Sequence, residues 1–398
     1  MRVADIVRWA KNGSPQQITK IGLGTGANTQ NLLKLELDYG DNTENNGNLL
    51  EQKITVPTVG ATAGFTATQE YSYDALNRLL VAEEKISSST TWKQTFTMDR
   101  YGNRRYDAGN TTTLGGCSEA VCNPTVSTST NRFTSSGWDY DEAGNVVEDG
   151  QGYQFSYDAE NHQIEAKNEL DATVGEYFYD GEGRRVKKIA GSETTVFVYN
   201  ASGQLVAEYS TELSSTPQVS YLTTDHLGST RLVTDQLGAV KDRKDYGAFG
   251  DETVTAARVN ALGYTTDEPT RKGYTGYEKD GESALEFAEA RYYSTTHGRY
   301  TSVDPLTASA SIRNPQTFNR YTYVVNSPYK YTDPLGLIPM GPGGAAGSCA
   351  QADNRRKRLH NGLHLQPLGA ASRTSLPFWP CRKEHLRRCG WFTFSSPV

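Results

Sequence analysis

YDALNRLL (Tyr73–Leu80), MDRYGNRR (Met98–Arg105), YDEAGNVV (Tyr140–Val147), YDAENHQI (Tyr157–Ile164), YDGEGRRV (Tyr179–Val186) and YNASGQLV (Tyr199–Val206) are six copies of one pattern. An anchor, Tyr or once Met, is followed by Asp or Asn, then by Gly or Asn among the residues at anchor+4 and anchor+5. Residues ahead of the anchor alternate, as in Phe155-Ser156-Tyr157 and Tyr177-Phe178-Tyr179, so a strand arrives. The Asp caps turn amides, as Asx turns do. Gly or Asn supplies positive φ at low cost, and an apolar stretch leaves. Each copy is therefore a β-hairpin. The later anchors stand 17, 22 and 20 residues apart, and the earlier gaps of 25 and 42 hold insertions. A degenerate copy lies in DYGDNTENNGNLLEQ, from Asp38. Stacked hairpins build a long sheet whose neighbours bury one another's faces.

Composition agrees. Of 398 residues, 36% are apolar, 38 are Gly and 24 are Tyr, against 5 Cys and 3 Met. These values argue against a coiled coil or a Leu/Ala-rich bundle and favour short strands joined by polar turns. No apolar run reaches the ~18 residues of a membrane span. The start, MRVADIVRWAKNGS, lacks the apolar stretch of a signal peptide. Charge is uneven: residues 338–398 balance at +7, against −13 for the remainder. Tyr ends at Tyr331, and three of the five Cys lie beyond residue 338.

The repeats resemble the YD repeats of the RHS family, shared with wall-associated proteins, insecticidal toxin-complex C subunits and teneurins. Three later blocks resemble the RHS repeat-associated core: YLTTDHLGSTRLVTDQLGAV from Tyr221, FAEARYYSTTHGRYTSVDPL from Phe287 and NRYTYVVNSPYKYTDPLGL from Asn319. The resemblance implies an all-β fold, a strip of stacked hairpins spiralling into a hollow shell that the core closes. It divides the chain into a shell fragment (1–220), a core (221–337) and a variable C-terminal extension (338–398). SALEFAEARYY (Ser283–Tyr293) is the segment in dispute, because its Ala, Leu and Glu favour helix while the resemblance implies strand.

In toxin members of the family the core cuts its own chain just after the DPxGL block. Carried over motif by motif, the resemblance implies Asp304 and Asp333 as a catalytic pair, Arg291 as their partner, and a cut between Leu337 and Ile338. Two close carboxylates resist joint ionisation, so one keeps a proton while the other activates water. An Arg holds one of them ionised. Thr307 stands where the first block of the family often has Gly, and its replacement by Gly is expected to speed the cut. The alternative is that both Asp are Asp-Pro turn residues.

Asp225, His226 and Ser229 adjoin in sequence, but triads converge from distant segments. His226 reads as a buried or turn-capping residue, and Arg231 as an ion-pair residue. Cys117 and Cys122 fit a small disulfide loop or two free thiols; a zinc site lacks further ligands. The tail's His360, His364, Cys381 and Cys389 match no defensible metal spacing, so no cofactor is expected. Its Arg355–Arg358 run, with Arg382, Lys383 and Arg387, suits weak nucleic-acid contact. The expected function is toxin delivery, with the extension as cargo and with an immunity protein or secretion component as partner, secreted or at the cell surface. The rivals are a non-enzymatic surface protein that binds glycans or other cells, and an inactive remnant.

Overall fold

The computed structural model describes residues 7–10, 17–24, 30–41, 43, 45–114, 118–212, 219–259, 263–264 and 270–341. Strands dominate. Strand β1 (Val7–Ala10) is followed by β2 (Ile18–Leu23), β3 (Leu33–Asp38), β4 (Glu51–Val56), β5 (Phe65–Tyr73), β6 (Leu79–Ile86), β7 (Ser89–Met98) and β8 (Arg104–Tyr106). Each pairs antiparallel with the next, giving an eight-stranded meander. A second meander runs β9 (Asp139–Tyr140), β10 (Val146–Glu148), β11 (Gln154–Tyr157), β12 (Gln163–Lys167), β13 (Thr173–Tyr179), β14 (Arg185–Ala190), β15 (Glu193–Tyr199) and β16 (Leu205–Ser210). Among the described residues neither closes into a barrel. The helices there are two single turns, α1 (Glu119–Cys122) and α2 (Ala256–Val259), with short 3₁₀ turns, and none is long and apolar enough to cross a membrane.

The repeat closes as one five-residue turn. In it the Asp Oδ1 accepts the amides two and four residues on, from Leu76 and Arg78 at Asp74, and from Glu182 and Arg184 at Asp180. Positive φ falls on the third residue after the Asp, as at Asn77 (φ 61°) and Gly183 (φ 76°). The residue at anchor+5, expected to share that role, instead turns its side chain back onto the Asp, as Arg78, Asn103, Asn145 and Arg184 do. The same turn forms at Asp149, Asn168, Asp225 and Asp235, outside the six copies. At each of these four positions the third residue on is again left-handed: Gly152, Asp171, Gly228 and Gly238.

Residues 221–337 pack against the inner faces of both meanders. Three-stranded β17 (Ser220–Thr224), β18 (Thr230–Asp235) and β19 (Val240–Arg243) precede four-stranded β20 (Glu278–Asp280), β21 (Leu285–Ala288), β22 (Arg291–Ser294) and β23 (Arg299–Tyr300). The disputed segment is thus a hairpin, β21–β22, rather than a helix. Tyr71, Trp92, Phe96 and Tyr106 of the first meander share a core with Tyr246, Phe249, Tyr274, Tyr277, Tyr293, Tyr300 and Tyr323. Phe155, Ala166 and Tyr177 of the second share another with Leu285, Phe287 and Tyr292. Polar ladders reach the same segment. Gln52, Gln69 and Glu84 are linked across β4–β6, and Glu84 ends on Arg258 at 2.7 Å. The inner faces that the resemblance gives to a hollow shell are here filled by the chain's own core. The described residues belong to one compact unit; residues 342–398, with the tail's basic and Cys/His residues, lie outside the described residues.

Candidate active site

DPLGL (Asp333–Leu337) folds as a variant of the repeat turn, with Asp333 Oδ1 accepting the amides four and five residues on in place of two and four. Gly336 takes the left-handed position at φ 64°, its amide bonds the Asp333 carbonyl, and the Leu337 amide bonds Asp333 Oδ1 at 2.7 Å. Here the turn continues one residue further. The Ile338 amide also donates to Asp333 Oδ1, at 2.9 Å. One carboxylate oxygen therefore spans both amides flanking Leu337, and it lies against the nitrogen of the Leu337–Ile338 bond. Asp333, 2% exposed, faces no bulk water.

Arg291, at the start of β22, holds this turn from the other side. Its Nε donates to the Gly336 carbonyl, its Nη1 to the Arg320 carbonyl at 3.0 Å, and its Nη2 to Asp333 Oδ2 at 3.4 Å. The guanidinium lies on the Tyr300 ring, 3.6 Å from its centroid, a cation–π contact strengthened by burial. Tyr300 donates to Asp333 Oδ2 at 2.9 Å, and Tyr277 donates to the Asp333 carbonyl. Burial pushes the Asp333 carboxyl above the usual carboxylate range, against the pull of Arg291. The same burial pushes Tyr300 and Tyr277 far up, so both phenols stay protonated donors.

Asp304 joins through Arg291. Its Oδ2 stands 3.8 Å from the same Nη2. The structure thus brings together all three residues singled out from the sequence. It places the Arg291 guanidinium between the two acid side chains, where a directly adjoining, proton-sharing pair was expected. Only Asp333 touches the Leu337–Ile338 amide among these contacts. Asp304 is held by the Leu306 amide at 2.8 Å and the Ser309 hydroxyl at 2.6 Å. Thr307 opens a right-handed 3₁₀ turn, Thr307–Ser309, so this turn is closed by Ser309 and has no left-handed position for a Gly to fill. The expected benefit of Thr307→Gly loses its basis. Tyr300, Tyr277 and Ser309 escaped the sequence reading. GRY ahead of the first Asp-Pro marked Tyr300; nothing marked Ser309.

The remaining candidates take structural places. Asp225 caps its turn and pairs with Arg231 at 3.4 Å, while Arg231 also pairs with Asp245. Ser229 Oγ accepts the Thr275 amide at 3.0 Å, and neither ring nitrogen of His226, whose pKa burial lowers, bonds Ser229 or Asp225, so no triad forms. Cys122 is disulfide-bonded; Cys117, the partner suggested by the sequence, lies outside the described residues.

No family model matches the chain. Known proteins and structures do. The chain matches the Photorhabdus luminescens Tc holotoxin pore with a TM-score of 0.62 at 20% identity, over 82% of this chain and 18% of that one. The fold is shared with a Tc toxin. In sequence, the chain is 27% identical over 286 residues to the tRNA nuclease WapA of Bacillus subtilis, covering 66% of this chain and 12% of that protein. It is 24% identical over 269 residues to the toxin protein Tse5 of Pseudomonas aeruginosa, covering 52% of this chain and 19% of the toxin. The chain spans less than a fifth of the length of any of these three.

Proposed function

We propose that this chain is part of the shell and core of an RHS-type toxin-delivery protein, and that it cuts itself between Leu337 and Ile338 to free the following segment as cargo. Domains 1–220, 221–337 and 338–398 then act as shell fragment, core and cargo. The product acts outside the cell that makes it, secreted or on the surface, with a secretion component and an immunity protein as partners. The tail's basic residues make weak contacts with nucleic acid. Similarity to a nuclease and to a toxin supports the delivery half of this reading. One contact carries the cutting half: Asp333 Oδ1 lies 2.9 Å from the Ile338 nitrogen, the atom that must gain a proton when the bond breaks.

The residues divide the work as follows. Asp333, whose pKa burial raises, stands beside the leaving nitrogen and is placed to pass it a proton. Arg291 grips the Gly336 carbonyl one residue ahead of Leu337 and so fixes the backbone on the acyl side. Asp304 balances the Arg291 charge and orients it. Tyr300 and Tyr277 fix the Asp333 side chain and carbonyl. Such fixing is worth several powers of ten when reacting groups meet in line.

Intact-mass measurement on the purified chain and two variants tests the reading. Wild type is expected as two fragments, 1–337 and 338–398. Asp333→Asn should stay whole, since an amide cannot pass on the proton. Asp304→Asn should be slowed about a hundredfold, through a misplaced Arg291. Cutting at the wild-type rate in folded Asp333→Asn would refute the assignment.

A further inference from the structure

The contacts on the far side of the proposed cut are as well made as those on the near side. Beyond Ile338 the chain returns along Thr332: the Thr332 amide donates to the Met340 carbonyl at 2.9 Å, and the Met340 amide to the Thr332 carbonyl at 2.6 Å. The Ile338 nitrogen rests on Asp333 Oδ1. None of these three bonds involves the acyl side of the Leu337–Ile338 linkage. Hydrolysis leaves all three partners in place. Water adds across the linkage: its oxygen joins the Leu337 carbonyl carbon as the C–N bond breaks, and one hydrogen passes to the Ile338 nitrogen. The other reaches the same nitrogen as the new acid ionises, leaving a carboxylate at Leu337 and an ammonium at Ile338.

We propose that Asp333 and Thr332 form a binding site for a free chain terminus, the α-ammonium of Ile338 with the extended Ile338–Met340 behind it, so that the core holds the cut segment after the cut. The proposal rests on the self-cleavage reading. Its chemistry is simple. Once the proton has passed, a neutral amide donor on Asp333 Oδ1 has become an ammonium on a carboxylate at the same place, and charge-assisted hydrogen bonds are roughly twice as strong as neutral ones. Asp333 is shielded from water, so the pair is little screened. Tyr300 and Arg291 occupy the other carboxylate oxygen and keep Oδ1 turned to the amine. The product thus stays on the group that made it, and each molecule cuts once. Release of the segment becomes a separate, later step that needs the Thr332–Met340 pairing to open.

The full chain, left to cut itself, supplies the test. Native size exclusion should show residues 1–337 and 338–398 eluting together, and denaturant should part them. Amine-selective labelling near pH 7.5, where a free α-amine is partly unprotonated, should modify Ile338 roughly tenfold or more slowly in the native cut protein than in denaturant. Met340→Pro removes the Met340 N–H and, measured on the cut molecules alone, should speed loss of the tail about tenfold. A tail that separates as soon as it is cut overturns the proposal. So does a tail that co-elutes while Ile338 labels at its denatured rate, since it is then held elsewhere. An uncut chain is a different result: it removes the self-cleavage reading and this one with it.

Discussion

At Gly336 the backbone is left-handed, and a Cβ built there would stand 2.6 Å from the Ala288 carbonyl oxygen and 3.3 Å from the Arg291 amide. Gly336→Ala meets two penalties, strain and a clash with backbone that cannot yield. Both fall on the loop bearing the proposed bond. The substitution should lower thermal stability by about 1–3 kcal/mol and slow any cut further than that loss explains; scanning calorimetry with intact mass reads both. His297 gives a pH prediction at the same scale. Its Nε2 donates to the Val121 carbonyl at 2.9 Å, and its Nδ1 accepts from the Ser294 hydroxyl at 2.9 Å. The Ser294 bond needs Nδ1 without its proton, whereas the Val121 bond is kept by either form of the ring. Burial, with Arg104 and Arg299 nearby, pulls its pKa down to about 4. The unfolded chain binds this proton near pH 6.5. Between about pH 6.5 and pH 4 the unfolded state therefore holds more protons, and stability falls as pH drops, by about 3 kcal/mol over the window. Urea unfolding of wild type and His297→Gln across pH 4–7 should show the slope in the first and its reduction in the second. Equal slopes would exclude His297 as the source.

The elements are tied together by buried ion pairs rather than by apolar packing alone. Arg185 on β14 pairs with Asp280 on β20, Lys188 adds a contact to Asp280 at 2.8 Å, and Arg185 also meets Glu278 at 3.0 Å. The Arg185 guanidinium lies 4.0 Å from the Phe287 ring centroid. Burial opposes charge on Asp280, but Arg185 and Lys188 hold its carboxyl below the usual range. Asp280→Asn leaves Arg185 with Glu278 and Lys188 with Glu282 as their remaining acidic partners and should cost about 3 kcal/mol. A loss under about 1 kcal/mol in chemical unfolding would mean that the pairing does not fasten the second meander to the core. Elements were legible where their cause was local. The hairpins could be read because Asp, the residue three later and the alternating strands lie within ten positions. The β21–β22 hairpin was ambiguous because Ala, Leu and Glu suit either state, and packing of Phe287 and Tyr292 against the second meander decided it.

Across the whole molecule, what the sequence hid is what is distant in it. Glu84 and Arg258 stand 174 positions apart, Arg185 and Asp280 stand 95 apart, and neither pair leaves a local signature. The filling of the inner faces by residues 221–337 follows from such pairs and was invisible beforehand. Arg291, Asp304 and Asp333 were singled out through their motifs, and the two acids meet on the one guanidinium. Their order along it was not legible, because the cation's place between two acids depends on where β22 meets the DPLGL turn. Likewise the Ser309 closure replaces a Gly turn that the motif suggested. The account centres on the bond beside Asp333, and the mass of the purified, folded wild-type chain tests it most directly. Two fragments, one ending at Leu337 and one of 61 residues beginning at Ile338, are the predicted result. A single species of 43.7 kDa that persists in a cooperatively folded protein would contradict it and leave Asp304 and Asp333 as turn residues.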